Sequence, residues 1–164
     1  MGRKVSLRFF AVALATASFA MVPFSPLSAT TSKVTCASLM SAKPSSTTGK
    51  ITVTAKLSGC VNLAATATDK SSINTATLSG TSTTTWAGGK GTTIQAVKYT
   101  LATKAQGLGK CPAGSTLRIF VAATTTGGTG AALKAIPKGS VGKSSICEHK
   151  DASAGLEPGT KSTF

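Results

Sequence analysis

Few side chains in this 164-residue sequence are of a type that carries catalysis or binds a metal. It has one histidine, His149, and four acidic residues, of which Glu148 and Asp151 lie beside that histidine. A hydrolytic site needs a base that an acid orients and that touches a nucleophile, whereas neighbouring side chains of a strand point to opposite faces. One histidine with so few acids also provides no tetrahedral set of metal ligands. We therefore predict a solvated polar cluster at residues 148–151, with no catalytic residue, no metal and no cofactor.

A second kind of chemistry is the binding of a sugar. Trp86 precedes a glycine-rich segment, residues 87–91, where an exposed indole would stack on a pyranose ring. Tyr99 is the residue best suited to assist it, and Lys90 and Lys98 are further candidate binding residues. The single tryptophan of a β domain also commonly anchors the core at a strand end. The sequence leaves both interpretations open.

The charge of the chain is strongly positive. Lysine and arginine number 18 against four acids, so the formal net charge is +14, and the lysines after residue 29 are spread from Lys33 to Lys161. Nucleic-acid-binding surfaces usually combine arginine with aromatic residues, and both are scarce after residue 29. This favours salt-sensitive attraction to an anionic cell-wall polymer or glycan, with no specific binding of nucleic acid. The alternative is that the lysines keep the strands soluble and protect the sheet edges.

The first 29 residues predict export. Arg3, Lys4 and Arg8 provide a basic start, and residues 9–22 form an apolar run that is shorter than the roughly 20 residues of a membrane-spanning helix. Cleavage after Ala29 would leave a secreted domain with no membrane span. We therefore expect an extracellular protein, free or associated with the cell envelope.

Four cysteines follow the predicted signal, and no pair of them has Cys-x-x-Cys spacing. An even number of cysteines in an exported chain predicts disulfides, which compensate here for a low content of large apolar residues. Three pairings are possible. We predict Cys36 with Cys60 and Cys111 with Cys147, because each bond then closes a local loop.

Strands are the elements that must position these residues. From Ile51 to Leu57 apolar and polar residues alternate, which is typical of a half-buried strand. Similar segments lie at residues 61–67, 76–85, 92–101 and 117–123, with weaker ones at 34–40, 131–136 and 144–149, and turn signals such as residues 69–72 separate them.

This pattern predicts an all-β fold, either an antiparallel β-sandwich or a small barrel of about seven to eight strands with two disulfides. Residues 130–136 fit a strand or one short helix equally well, because they contain good helix formers. We expect a single secreted β domain over residues 30–151. A C-terminal tail, residues 152–164, is predicted to be a loop.

Two short motifs carry a resemblance to known proteins. Leu-Ser-Gly-Cys at residues 57–60 and Thr-Thr-Thr-Trp at residues 83–86 resemble strand motifs of small exported actinobacterial proteins of unknown function. The likeness covers about residues 34–100 and implies a secreted β-rich domain with disulfides and no catalytic residue. The lysine-bearing segment after Gly88 departs from that pattern.

These observations predict a non-enzymatic secreted domain that binds an anionic envelope surface or a glycan. The alternative is a small secreted hydrolase or enzyme inhibitor whose site lies in loops.

Overall fold

The structure, a computed structural model, describes residues 33–164, so the predicted export signal at residues 1–29 lies outside the described part. Most of these residues form strands joined by tight turns. The strands are β1 (Thr35–Ser41), β2 (Ser45–Thr47), β3 (Lys50–Val61), β4 (Thr66–Asn74), β5 (Ser79–Trp86), β6 (Gly91–Thr103), β7 (Leu117–Gly128), β8 (Val141–Glu148), β9 (Ala154–Leu156) and β10 (Ser162–Thr163). A helix, α1 (Gly130–Ala135), and a 3₁₀ turn at Lys104–Gln106 complete the elements of this part.

The strands form an antiparallel barrel. Each strand from β3 to β8 pairs with the next one along the chain, and β9 pairs with β8. Strand β1 pairs with β3 on one edge and with β9 on the other, which closes a ring of eight strands. Strands β2 and β10 are additions to β3 and β1. The all-β prediction is thus confirmed, and of its two alternatives the chain forms the barrel.

Alternation along each strand decides which side chains enter the barrel. On β3 the buried Ala55 and Leu57 face inward while Lys56 between them is exposed. The facing residues of β4 continue the same inner layer, since Leu57 lies opposite Ala67 and Ala55 lies opposite Asp69. An antiparallel pairing places directly opposite residues on one face, so each inward position is matched across the strands.

The predicted turn at residues 69–72 is wrong. These residues lie inside β4, and the chain reverses instead after Asn74, whose side-chain Oδ1 accepts hydrogen bonds from the N–H groups of Ala76 and Thr77. The sequence was misleading because Asp69 and Ser71 are polar yet face the interior. Polar residues on the inner face break the apolar alternation by which a strand is recognised.

The apolar core lies at one end of the barrel. It gathers residues of several strands with two residues of the helical segment: Val34, Cys36, Leu57, Cys60, Ala67, Trp86, Ala132, Ile136 and Phe164. Residues 130–136 are helical through Ala135, which decides the alternative left open above. Ala132 and Ile136 are four residues apart and both fully buried, so one side of this single turn packs on the barrel end.

Two disulfides join the predicted partners. Cys36 and Cys60 lie directly opposite each other on β1 and β3, so their bond crosslinks the strand pair that closes the barrel. Cys111 and Cys147 connect the loop between β6 and β7 to β8. Both predicted pairings are confirmed.

The C-terminal segment differs from the predicted loop, because residues 152–164 return to the barrel. Strand β9 fills the edge between β8 and β1, and β10 pairs with the start of β1. The N–H of Phe164 donates to the Val34 carbonyl, and the Phe164 side chain is buried in the core. Few large apolar residues mark this segment, so its role was not visible in the local sequence.

Candidate functional site

Trp86, the predicted sugar-stacking residue, lies in the core. Its side chain is 2% exposed, and its Nε1 donates to Thr93 Oγ1 at 3.2 Å. Phe164 packs edge-on against the indole with ring centroids 5.0 Å apart. A sugar would reach this ring only after the core residues around it had moved.

The other predicted binding residues lie on separate surfaces. Tyr99 faces the barrel interior, whereas Lys98, the preceding residue of β6, is exposed on the outside. Lys90 is in the β5–β6 hairpin turn, where its carbonyl accepts from the N–H of Ala132 at the start of α1. Strand alternation separates Tyr99 from Lys98, and the length of β6 separates both from Lys90. The structure therefore does not bring the four residues together.

A cavity of about 110 Å³ occupies the barrel interior beyond the core. Its walls are mainly aliphatic and come from strands on all sides of the barrel. The principal apolar wall residues are Leu39, Val53, Val97, Ile119, Val121 and Ile146, and the principal polar ones are Asp69, Ser71, Ser82, Gln95 and Tyr99. An apolar enclosure with a few convergent polar groups is the usual form of a small-molecule site.

Asp69 is the centre of the polar groups. Its Oδ2 accepts from the Ser71 hydroxyl at 2.8 Å, and its Oδ1 accepts from the Thr84 hydroxyl at 2.7 Å and from the Ser82 hydroxyl. Strand register creates this arrangement, because Thr84 lies opposite Asp69 and Ser82 lies opposite Ser71. All four side chains consequently share the inner face of β4 and β5.

Tyr99 adds a neutral phenol to the same cavity. Burial raises the pKa of Tyr99 above its ordinary value; a hydrogen bond with Ser71 opposes this shift, and the negative charge of Asp69 adds to it. The phenol therefore stays protonated through the whole physiological range.

A second carboxylate, Glu157, serves a structural role outside the cavity. Its Oε2 accepts from Arg118 Nε at 3.0 Å and Nη2 at 2.6 Å and from the Ser145 hydroxyl at 2.6 Å, while its Oε1 accepts from the N–H of Lys110. Burial alone would raise the pKa of Glu157, but these hydrogen bonds and the Arg118 charge outweigh it, so the pKa lies below its ordinary value. The group ties the loop before β7 to the C-terminal segment.

The polar cluster around His149 is a turn. The Asp151 carboxylate accepts from the N–H and hydroxyl of Ser153, and these bonds lower the pKa of this exposed acid. Within residues 33–164, the His149 ring makes no hydrogen bond to a serine or a carboxylate, and His149 does not line the barrel cavity. No three histidine, cysteine or acidic side chains in this part of the chain converge as metal ligands.

Asp69 and the three hydroxyl groups around it were not predicted from the sequence. An available signal was the spacing of Ala67, Asp69, Ser71 and Ile73, which places two polar residues on the same face as two apolar ones. Read as a strand, this pattern predicts a polar group inside a barrel.

Comparison with protein-family models, with curated proteins and with solved structures finds no match for this chain. No helix between residues 33 and 164 is long and apolar enough to cross a membrane. The fold and the cavity define the class of this protein as an eight-stranded antiparallel barrel that two disulfides crosslink. The interior of the barrel has mainly aliphatic walls and contains a hydrogen-bonded carboxylate.

Proposed function

We propose that this protein is a secreted, non-enzymatic binding protein that attaches to an anionic polymer of the cell envelope, a charged glycan included, through the lysines on the outside of its barrel. The basic N-terminal segment with its apolar run supports export. Two disulfides suit the oxidising conditions outside the cytoplasm.

The observation that carries the proposal is the separation of the charges. Of the lysine side chains that the structure describes, none forms an ion pair, and the ion pair found among residues 33–164 uses Arg118 and Glu157. Asp69 and Glu148 line the interior cavity instead of the outer surface. Because few carboxylates neutralise the positive charge of the outer barrel surface, the lysines on that surface can attract a polyanion.

One row of the outer surface illustrates how the polymer would be held. Lys98 on β6 and Lys143 on β8 both lie opposite Ala122 on β7. Adjacent strands are about 4.8 Å apart, so the two lysines are about 10 Å from each other along this row. The small methyl group of Ala122 between them leaves both ammonium groups accessible to neighbouring charges of one polymer.

The test is binding to immobilised linear polyphosphate, with dextran as the uncharged polymer. We expect saturable binding to polyphosphate whose affinity falls about tenfold or more between 50 and 200 mM NaCl, because binding releases counterions. Dextran should not bind. Binding to both polymers alike, or binding that is insensitive to salt, would contradict the proposal.

Two double variants test whether the affinity for polyphosphate depends on the outer row of Lys98 and Lys143 or on the net positive charge alone. Lys98→Gln with Lys143→Gln removes two charges from the row, and Lys134→Gln with Lys138→Gln removes two exposed charges near α1. We expect the first variant to lose more affinity and to have the shallower dependence on salt. Equal losses would show that the attraction does not depend on this row.

A further inference from the structure

The proposed function uses the outside of the barrel and leaves its interior cavity without a role. We propose that this cavity binds a small organic cation, an ammonium group on an apolar body the size of one ring, with the ammonium held by Asp69. This site is independent of the outer lysines, so either proposal can fail without the other.

The size and walls of the cavity set the apolar part of the ligand. Its volume of about 110 Å³ is smaller than the roughly 150 Å³ of an engineered apolar cavity that accepts benzene, so one ring is the upper limit for the part of the ligand inside it. Val53, Val97 and Val121 contribute methyl groups from three different strands. Such walls have no polar partner to offer, so the body of the ligand must be hydrocarbon and no larger than one ring or a branched chain.

The charge of the cavity sets the polar part of the ligand. Asp69 and Glu148, two of the four acids in the sequence, line the cavity. Lys143 is the cation among the described lining residues, but its side chain is exposed and it pairs with Ala122 on the outward face of the sheet. The interior is therefore negative in a protein that is otherwise strongly positive.

Asp69 is hydrogen-bonded, but in the described part of the chain it has no cation beside it. A carboxylate offers about four acceptor positions. The hydroxyl groups of Ser82 and Thr84 occupy both acceptor positions of Oδ1, and the Ser71 hydroxyl occupies one acceptor position of Oδ2. One acceptor position of Oδ2 is left. Its three partners are neutral hydroxyls, and within the described residues no lysine or arginine lies within ion-pair distance. An ammonium group at the remaining position would complete both the hydrogen bonding and the charge.

Tyr99 suits the same ligand. Its ring lines the cavity wall beside Asp69, and an ammonium close to an aromatic face is further stabilised by the ring electrons. Pro44 and Ala152 also line the cavity, each from a loop.

The experiment is titration of the whole exported domain, observed by amide NMR, with benzylamine and with benzyl alcohol as its neutral counterpart. We expect saturable shifts at inward positions of β4 to β6 and an affinity for benzylamine at least tenfold higher than for benzyl alcohol. No saturable shift with benzylamine, or equal affinities for the two compounds, would overturn the proposal; the second result would indicate a site for neutral ligands.

Three variants locate the site. Asp69→Asn keeps the shape and removes the charge, so the preference for benzylamine should disappear, whereas Asp151→Asn, which removes an exposed charge, should leave it unchanged. Val121→Phe should fill the cavity and abolish the binding of both compounds. If Asp69→Asn does not fold, the comparison of the two compounds on the unaltered domain and the Val121→Phe result still decide the question. Binding to polyphosphate should be the same in all three variants.

Discussion

At the scale of single residues, two carboxylates show how burial and partners set the role of an acid. Glu157 is paired with Arg118 and accepts hydrogen bonds from Ser145 and Lys110, so each of its oxygens has a donor. Within residues 33–164, Asp69 accepts hydrogen bonds from hydroxyl groups and from no charged donor. Glu157 is therefore a structural ion, whereas Asp69 is the carboxylate to which we assign the proposed ammonium ligand.

The Glu157 ion predicts a dependence of stability on pH. Because its pKa in the folded protein is below its unfolded value of about 4.3, the stabilisation is present above that pH and is lost as the pH falls through the folded pKa. We expect Glu157→Gln to lower the free energy of unfolding by about 2 kcal/mol at pH 7, because hydrogen bonds to charged groups are strong. The difference between the two proteins should shrink towards pH 3, as measured by urea unfolding.

Asp151→Asn provides the matched control for this prediction. Asp151 accepts comparable hydrogen bonds from Ser153 but is fully exposed, so its loss should change the pH dependence little. A difference between the unaltered protein and Glu157→Gln that stays constant from pH 7 to pH 3 would contradict the assignment.

At the scale of elements, the hairpin of β4 and β5 depends on a close approach of the two strands. A Cβ atom added to Gly80 would lie 1.9 Å from the Ser72 carbonyl oxygen on the facing strand. This oxygen belongs to the backbone of β4, so the strands would have to separate locally. The same hairpin positions Asp69, Ser82 and Thr84 around one another.

We therefore expect Gly80→Ala to destabilise the protein by about 3 kcal/mol or more, since it forces overpacking against a backbone atom. Gly127→Ala on β7 is the matched control, because an added Cβ there meets no atom within 4 Å. Its effect should stay within about 1 kcal/mol. Thermal unfolding of both variants, followed by circular dichroism, makes the comparison, and similar losses of stability would contradict the predicted contact.

Most strands with a regular apolar face could be predicted from the sequence, although residues 62–65 of the predicted strand 61–67 form the connection between β3 and β4. The segment from Ile51 to Leu57 was predicted as a strand and forms most of β3, whereas residues 69–72 were predicted as a turn and lie inside β4. The difference is physical: the inner face of β3 is aliphatic, and the inner face of β4 holds Asp69 and Ser71 for a cluster that depends on β5. A local pattern does not contain the partner that makes such a polar residue acceptable inside.

At the scale of the whole molecule, closure of the barrel depends on β1. This strand meets β3 along most of its length and meets β9 and β10 on its other edge. The Cys36–Cys60 bond crosslinks β1 to β3, and both cysteines belong to the apolar core around Trp86. The Cys111–Cys147 bond instead holds a loop on the outside of β8.

We expect the two bonds to contribute unequally to stability. On loop entropy alone, removing either by a double Cys→Ala substitution would cost about 3.5 to 4 kcal/mol, with the longer loop of Cys111–Cys147 costing slightly more. Loss of core packing adds to the cost at Cys36–Cys60, so that variant should be the less stable one in urea unfolding. The opposite order would indicate that closure does not depend on packing at this bond.

The features that could be predicted from the sequence are local: alternating strands, turns between most of them, and two disulfides that each close a local loop. Other features depend on residues far apart in the chain and are visible only in the folded barrel. The strands form a closed barrel instead of a sandwich because β1 pairs with the C-terminal β9. Trp86 is buried against Phe164, and the register of β4 and β5 places hydroxyl groups around Asp69. Alternation assigns each residue to one of two faces, but only the closed barrel determines which face surrounds a cavity and which groups meet there.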